Sequence, residues 1–349
     1  MKEGTDMLRV VFCGGATRAE EMLERALSGI DWVSEEDLSA LGGKRVLFVI
    51  PLGEDGVNHA AYNLVSFLRT HPGALQGCVG GVWIDGCGDL YTKALGRDIV
   101  LAASLAGCTF PGRCLVEGTG SLVNFTVQAK NGGCSVEEAY RRAVGDLARR
   151  ILDFAPPKKE RPHLVVLHAS NHRTSNTLAL WSRVKERLEG RFEITEVGLR
   201  SGTLVDCAGC PYTMCLHFGE KGECFYGGVM VHQVYPAIRE ADAVVLLCPN
   251  YNDALSANLT ACINHLTALY RTVSFQEKAV FALVVSGYSG SDIVASQVVS
   301  ALSMNKGFWL PPEFCLMETA NDAGTAVLLP GIEERLDRFA QTIQTQMLP

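Results

Sequence analysis

Between His163 and Thr177 the chain reads His-Leu-Val-Val-Leu-His-Ala-Ser-Asn-His-Arg-Thr-Ser-Asn-Thr. The apolar run Leu164 to Leu167 stops in a loop of small and polar residues, and Leu178, Trp181, Val184 and Leu188 follow at helical spacing. A strand, a donor-rich loop and a helix in that order present backbone N–H groups and a positive helix end to an anion. Ser170, Thr174, Ser175, Asn176 and Thr177 add side-chain donors, and Arg173 adds a positive charge. These residue types suit a phosphate cradle. The same cluster also suits a plain cap for a helix starting near Ser175, or a turn at a strand end.

Two further loops have comparable chemistry. Pro249-Asn250-Tyr251-Asn252-Asp253-Ala254-Leu255-Ser256-Ala257 follows an apolar run from Ala243 to Cys248, and Ser286-Gly287-Tyr288-Ser289-Gly290-Ser291 follows one from Val280 to Val285. Both offer small residues that let backbone approach a flat ligand, and each offers one tyrosine, Tyr251 or Tyr288, to flank a ring. Taken singly they also read as ordinary turns, and Asp253 as a helix cap. A fourth constellation is sulfurous. Cys207, Cys210, Cys215 and Cys224 form a Cys-x2-Cys-x4-Cys-x8-Cys pattern. Four thiolates this close suit an iron–sulfur cluster or a structural zinc, although zinc sites are generally built from two close pairs. A cysteine-rich loop with buried or transiently paired thiols is the alternative.

The elements that position these residues repeat. Apolar runs Leu8 to Phe12, Val46 to Ile50, Val79 to Ile84 and Cys114 to Glu117 alternate with helical patterns, the last from Val136 to Phe154. Strands alternating with helices imply a parallel sheet covered on both faces. Three prolines among the charges of 153–162 then interrupt the pattern, and the same grammar restarts. We expect residues 1–155 and 163–349 to form two tandem α/β domains joined by a linker at 156–162.

Three segment pairs recur in the same order: Val10–Arg18 with Val165–Arg173, Ile50-Pro51 with Cys248-Pro249, and Pro111–Glu117 with Pro312–Glu318. Duplication accounts for all three better than convergence. The copies differ at the first loop, where Ala19-Glu20-Glu21 stands in place of Thr174-Ser175-Asn176. Carboxylates there repel a phosphate, so the ligand is assigned to the second copy and a scaffolding or site-completing role to the first.

With 349 residues, the chain can bury a substantial core in each half. Its net charge of -7 and lack of a basic block argue against nucleic acid as a partner. No secretory signal or bilayer-length apolar run is present, so no membrane partner is expected and the expected compartment is the cytoplasm. In that reducing setting most of the 13 cysteines are expected to be small core residues.

From about Leu164 to Glu318 the chain resembles the flavodoxin-like NAD(P)H-dependent FMN reductases, a group that includes the iron–sulfur flavoproteins of anaerobes. The first half looks like a degenerate relative of the same fold. The family's small-Ser-x-Arg-x-x-Ser-Asn-Thr loop is matched by Ala169 to Thr177, and its Pro-x-Tyr loop by Pro249-Asn250-Tyr251 through Ser256-Ala257. The resemblance implies two doubly wound flavodoxin-like domains with FMN in the second. It places Ser170, Arg173, Ser175, Asn176 and Thr177 at the phosphate. Pro249, Asn250, Tyr251, Asn252, Asp253, Ser286, Gly287 and Tyr288 would then lie along the ring. It also implies NAD(P)H as co-substrate, a small acceptor such as a quinone or free flavin, and a homodimer. The electron-carrier alternative pairs FMN with a cluster on the four cysteines, though iron–sulfur flavoproteins have a second gap of two residues rather than four. Gly227-Gly228-Val229-Met230 also replaces the paired aspartates frequent after the last cysteine.

If Arg173 holds the phosphate, Arg173→Glu will abolish FMN retention through gel filtration and leave the far-ultraviolet circular dichroism unchanged.

Overall fold

The structure is a computed structural model that describes residues 7–15, 18–170, 174–200 and 202–349. The chain divides into two compact units, Met1–Ala155 and Pro156–Pro349. The first is built from β1 (Leu8–Phe12), α1 (Arg18–Ala26), β2 (Trp32–Ser34), β3 (Arg45–Leu52), α2 (His59–Thr70), β4 (Val79–Gly86), α3 (Thr92–Leu105), β5 (Leu115–Gly118), α4 (Thr126–Gly132) and α5 (Val136–Asp153). The second contains β6 (His163–His168), α6 (Asn176–Leu188), β7 (Glu193–Gly198), α7 (Tyr212–Glu220), α8 (Tyr235–Glu240), β8 (Ala243–Pro249), α9 (Ala257–Leu269), β9 (Ala279–Ser286), α10 (Ser291–Val298), β10 (Cys315–Thr319) and α11 (Ile332–Met347).

Each unit is one five-stranded sheet with every pairing parallel, ordered β2-β1-β3-β4-β5 and β10-β9-β8-β6-β7. Read from the opposite edge, the second order has the same 2-1-3-4-5 topology as the first. This is the flavodoxin-like doubly wound α/β fold, whose order reverses between the first and third strands and opens a crevice at their carboxyl ends.

Continuous apolar runs form the central strands because helices cover both sheet faces. In β8, Ala243 to Cys248 are all buried, and in β9 every residue from Ala279 to Ser286 is. Gly81 of β4 shows how closely the helices pack, since a Cβ there would lie 2.6 Å from Ile151 Cδ1 on α5. The strands at one edge of each sheet, β2 and β7, were not anticipated from sequence. Both are mostly exposed or half-buried and lack an apolar run.

The helix starts have local causes. Ser175 caps α6 by accepting the Leu178 N–H, Asn58 caps α2 through the Ala61 N–H, and Ser256 caps α9 through the Leu259 N–H. The cap of α9 is therefore Ser256 and not Asp253, which sits three residues earlier with φ +55°. No helix among the described residues is long and apolar enough to cross a membrane.

Leu246 lies mid-strand in β8 and is 1% exposed. Leu246→Ala should lower the stability of the second unit by about 2–5 kcal/mol, read as an earlier urea transition.

Candidate functional site

In the second unit the carboxyl ends of β6, β8, β9 and β10 surround a crevice of about 330 Å³. The β6–α6 loop contributes Ser170, Thr174, Ser175, Asn176 and Thr177. Pro249, Asn250 and Tyr251 come from the end of β8 and the turn beyond it, and Val285 and Gly287 from the end of β9. Ala320 and Asn321 come from beyond β10. Ser170 and Thr177 are buried, with hydroxyls 3.3 Å apart, and Ser175 Oγ lies 2.8 Å from Thr177 Oγ1. A row of hydroxyls therefore converges where α6 begins. None of the described lining residues carries a carboxylate.

The β8 loop is fixed by Asn250. Its Nδ2 donates to Ser289 O at 2.9 Å, Ser286 Oγ at 3.0 Å and Asp253 Oδ1 at 3.2 Å. Those acceptors settle which end of the amide is nitrogen. Oδ1 is left as a buried acceptor without a hydrogen-bond partner. A buried acceptor left unpaired costs about 1–3 kcal/mol, so a ligand N–H there would gain what the apoprotein lacks.

The residues expected from sequence thus separate. Ser170, Ser175, Asn176, Thr177, Pro249, Asn250, Tyr251 and Gly287 line one crevice. Ser286 is fully buried beneath it, holding the Asn250 amide and lying 2.7 Å from Ser291 Oγ. Asn252, Asp253 and Tyr288 lie outside the lining. Tyr288 is 82% exposed, and the carboxylate of Asp253 is turned to the Asn250 amide. Arg173 lies outside the described residues. Ala320 and Asn321 were missed, because nothing local in the sequence marks the residues after β10 as crevice wall. Asn176 Nδ2 ties that segment down, donating to Ala320 O and Asp322 O.

The matching place in the first unit is closed by Asp85. Its Oδ2 accepts the Ala19 N–H at 3.1 Å, and Arg18 donates to Oδ1 through Nε at 2.9 Å and Nη2 at 2.6 Å. Tyr140 Oη donates to the same oxygen at 2.8 Å and accepts the Trp83 indole N–H. Burial, then the Asp85 charge, pushes the Tyr140 phenol up, so it stays a donor. Asp85 is 4% exposed and occupies the anion position at the start of α1. Strand register supplies the comparison between units. Val79 bridges Thr109 as Ala279 bridges Trp309, and Val82 faces Leu115 as Ala282 faces Cys315. Asp85 therefore aligns with Val285, a wall residue of the open crevice, and the same register shifts two of the expected segment pairs by one residue, setting Leu115 with Cys315 and Val10 with Val166. The expectation that Glu20 and Glu21 exclude an anion from the first unit is replaced by this more direct cause: a carboxylate already sits there.

Cys207, Cys210, Cys215 and Cys224 line one separate cavity of about 300 Å³ against α7 and α9. Among the described residues, however, no three His, Cys, Asp or Glu side chains are gathered so that they could hold a metal ion. The cysteine spacing therefore brings the thiols to one cavity but not into one coordination sphere, and the cluster-bearing reading is not supported. The other buried cysteines are core residues. Burial alone raises the Cys13 thiol to about 11 and that of Cys262 to about 12.

Residues 162–322 match the profile of the family described as NADPH-dependent FMN reductase. The second unit is thus FMN reductase-like over nearly all of its sheet. No curated protein sequence matches the chain. Among solved structures, the NAD(P)H:quinone oxidoreductase of Methanothermobacter marburgensis aligns at 16% identity and a TM-score of 0.40, covering 54% of this chain and 99% of that one. The azoreductase of Bacillus anthracis aligns at 14% and 0.37, covering 53% and 98%. The NAD(P)H:acceptor oxidoreductase FerB of Paracoccus denitrificans aligns at 18% and 0.33, covering 54% and 100%.

Asp85→Ala should destabilise the first unit by about 3 kcal/mol, at the low end for a broken buried pair because Arg18 keeps some contact with solvent. Inorganic phosphate should restore part of that loss, and thermal melts in phosphate and in chloride at equal ionic strength measure the difference.

Proposed function

We propose that this FMN reductase-like chain is an FMN-dependent oxidoreductase that takes reducing equivalents from NAD(P)H and delivers them to a small acceptor such as a quinone or a free flavin. The observation that carries the reading is the contrast between two equivalent positions: the first unit fills its anion site with Asp85, whereas the second leaves a carboxylate-free crevice ringed by hydroxyls.

The residues present fit the cofactor. Ser170, Thr174, Ser175 and Thr177, at the start of α6, would hold the phosphate, with Asn176 bracing the wall and Arg173 supplying charge. Pro249, Asn250, Tyr251 and Gly287 would face the ring system. Asn250 Oδ1 is the acceptor free to take a ring N–H. FMN, when bound, supplies the hydride and electron chemistry, while the protein supplies binding, orientation and tuning.

Within that division of labour, the chain's own contribution is positioning. The Asn250 amide is locked by Ser286, Ser289 and Asp253, which fixes the β8 loop against the β9 loop. Gly287 keeps the third loop low, since a Cβ there would sit 3.0 Å from Asn321 Oδ1. Tyr251, 60% exposed, stands at the mouth, where an aromatic acceptor would stack against it. No described side chain in the crevice is a carboxylate, histidine or lysine, and the reading assigns no general acid or base.

Purified protein should retain one FMN per chain, bleach promptly with NADPH under nitrogen and turn over with a quinone. A second test uses the cap. Ser175→Asp keeps the α6 cap but puts a negative charge where the phosphate would lie. FMN affinity, read by flavin fluorescence quenching, should fall at least about tenfold with the melting temperature of the apoprotein held. Unchanged affinity in this variant would place the phosphate elsewhere.

A further inference from the structure

The cysteine cavity holds a base in contact with a thiol. His265 on α9 is 3% exposed, and its Nδ1 lies 3.3 Å from Cys224 Sγ. Its Nε2 lies 2.8 Å from the Val205 carbonyl. A carbonyl can only accept, so in the neutral ring Nε2 carries the proton and Nδ1 is the acceptor facing the thiol. Nucleophile, base and an orienting third group are therefore in series, as an activated thiol requires.

The same histidine pins the segment that carries a second thiol, since Val205 stands two residues before Cys207. Cys207 lines the same cavity as Cys224. All four cavity cysteines are half-buried and reachable, unlike the core cysteines such as Cys248 and Cys262. The walls are aromatic, with Phe225 edge-on between Phe218 and Tyr226.

We propose that this cavity is a thiol–disulfide exchange site, with Cys224 the attacking thiol, His265 its base and Cys207 the resolving thiol, acting on small disulfides independently of the flavin crevice. The Cys224 thiol is held neutral at rest by burial and gives its proton to His265 Nδ1 as its sulfur attacks one sulfur of the external disulfide. The external S–S bond breaks, a mixed disulfide forms on Cys224, and the departing thiolate takes the proton back from the imidazolium. Cys207, as a thiolate, then attacks the Cys224 sulfur; the second external thiol leaves and takes up the proton Cys207 released. Two protein thiols are oxidised to one disulfide, and one external disulfide is reduced to two thiols.

The test uses the full-length protein, freed of reductant under nitrogen and mixed with oxidised glutathione. The reaction is quenched by alkylation and read by peptide mass mapping, with exposed Cys87 as internal reference. The expected product is a Cys207–Cys224 disulfide formed ahead of any adduct on Cys87. Cys207→Ser should trap the glutathione adduct on Cys224. His265→Gln should slow modification of Cys224 at least about tenfold, and should that variant fail to fold, the Cys207→Ser trap decides alone. Modification of Cys224 no faster than Cys87, a disulfide joining a different pair, or four thiols shielded by a bound metal would each overturn the proposal.

Discussion

An α-helix that begins at the carboxyl edge of a parallel sheet leaves its first N–H groups without partners, and the positive end of the helix favours a negative one. Each unit of this protein has such a helix directly after its first strand, and the two units meet the requirement in different ways. In the first, Asp85 reaches across from β4 to the Ala19 N–H and is clasped by Arg18 and Tyr140. In the second, the aligned residue is Val285, the local hydroxyls supply the cap, and the crevice stays open. One carboxylate against one isopropyl group separates a sealed edge from a receptive one.

The identity of the strand orders gives this comparison its force. Both sheets run 2-1-3-4-5, and their third-to-fifth strands keep the same relative register. Asparagine and serine caps recur at the helix after the third strand, Asn58 in one unit and Ser256 in the other. Against that shared frame the difference between Asp85 and Val285 falls at the carboxyl ends of corresponding strands, where α/β folds place their chemistry.

Much of this was legible before any coordinates, and the reasons are local. Central strands such as β8 and β9 are buried on both faces and must be apolar throughout, so their runs stand out. Ser175 as cap and the hydroxyl-rich loop follow from residue types within one turn of α6. What escaped depends on distant partners. Asp85 carried no signal in the sequence because its partner lies 66 residues away, at Ala19. His265 was not singled out by sequence, since only the packing of α9 brings it to Cys224, 41 residues earlier. The edge strands β2 and β7 carry no periodicity because only part of their surface is covered. Tyr288, which the resemblance would set along the ring, stands outside the crevice lining and is largely exposed.

The internal carboxylate of the first unit also separates how the two halves respond to small molecules around them. A fold completed by its own side chain has the same stability whatever small molecules surround it. A fold with an open crevice gains stability as the logarithm of its ligand's concentration relative to the dissociation constant. Ligand would therefore raise the resistance of the second unit to unfolding and proteolysis, and leave that of the first unit unchanged.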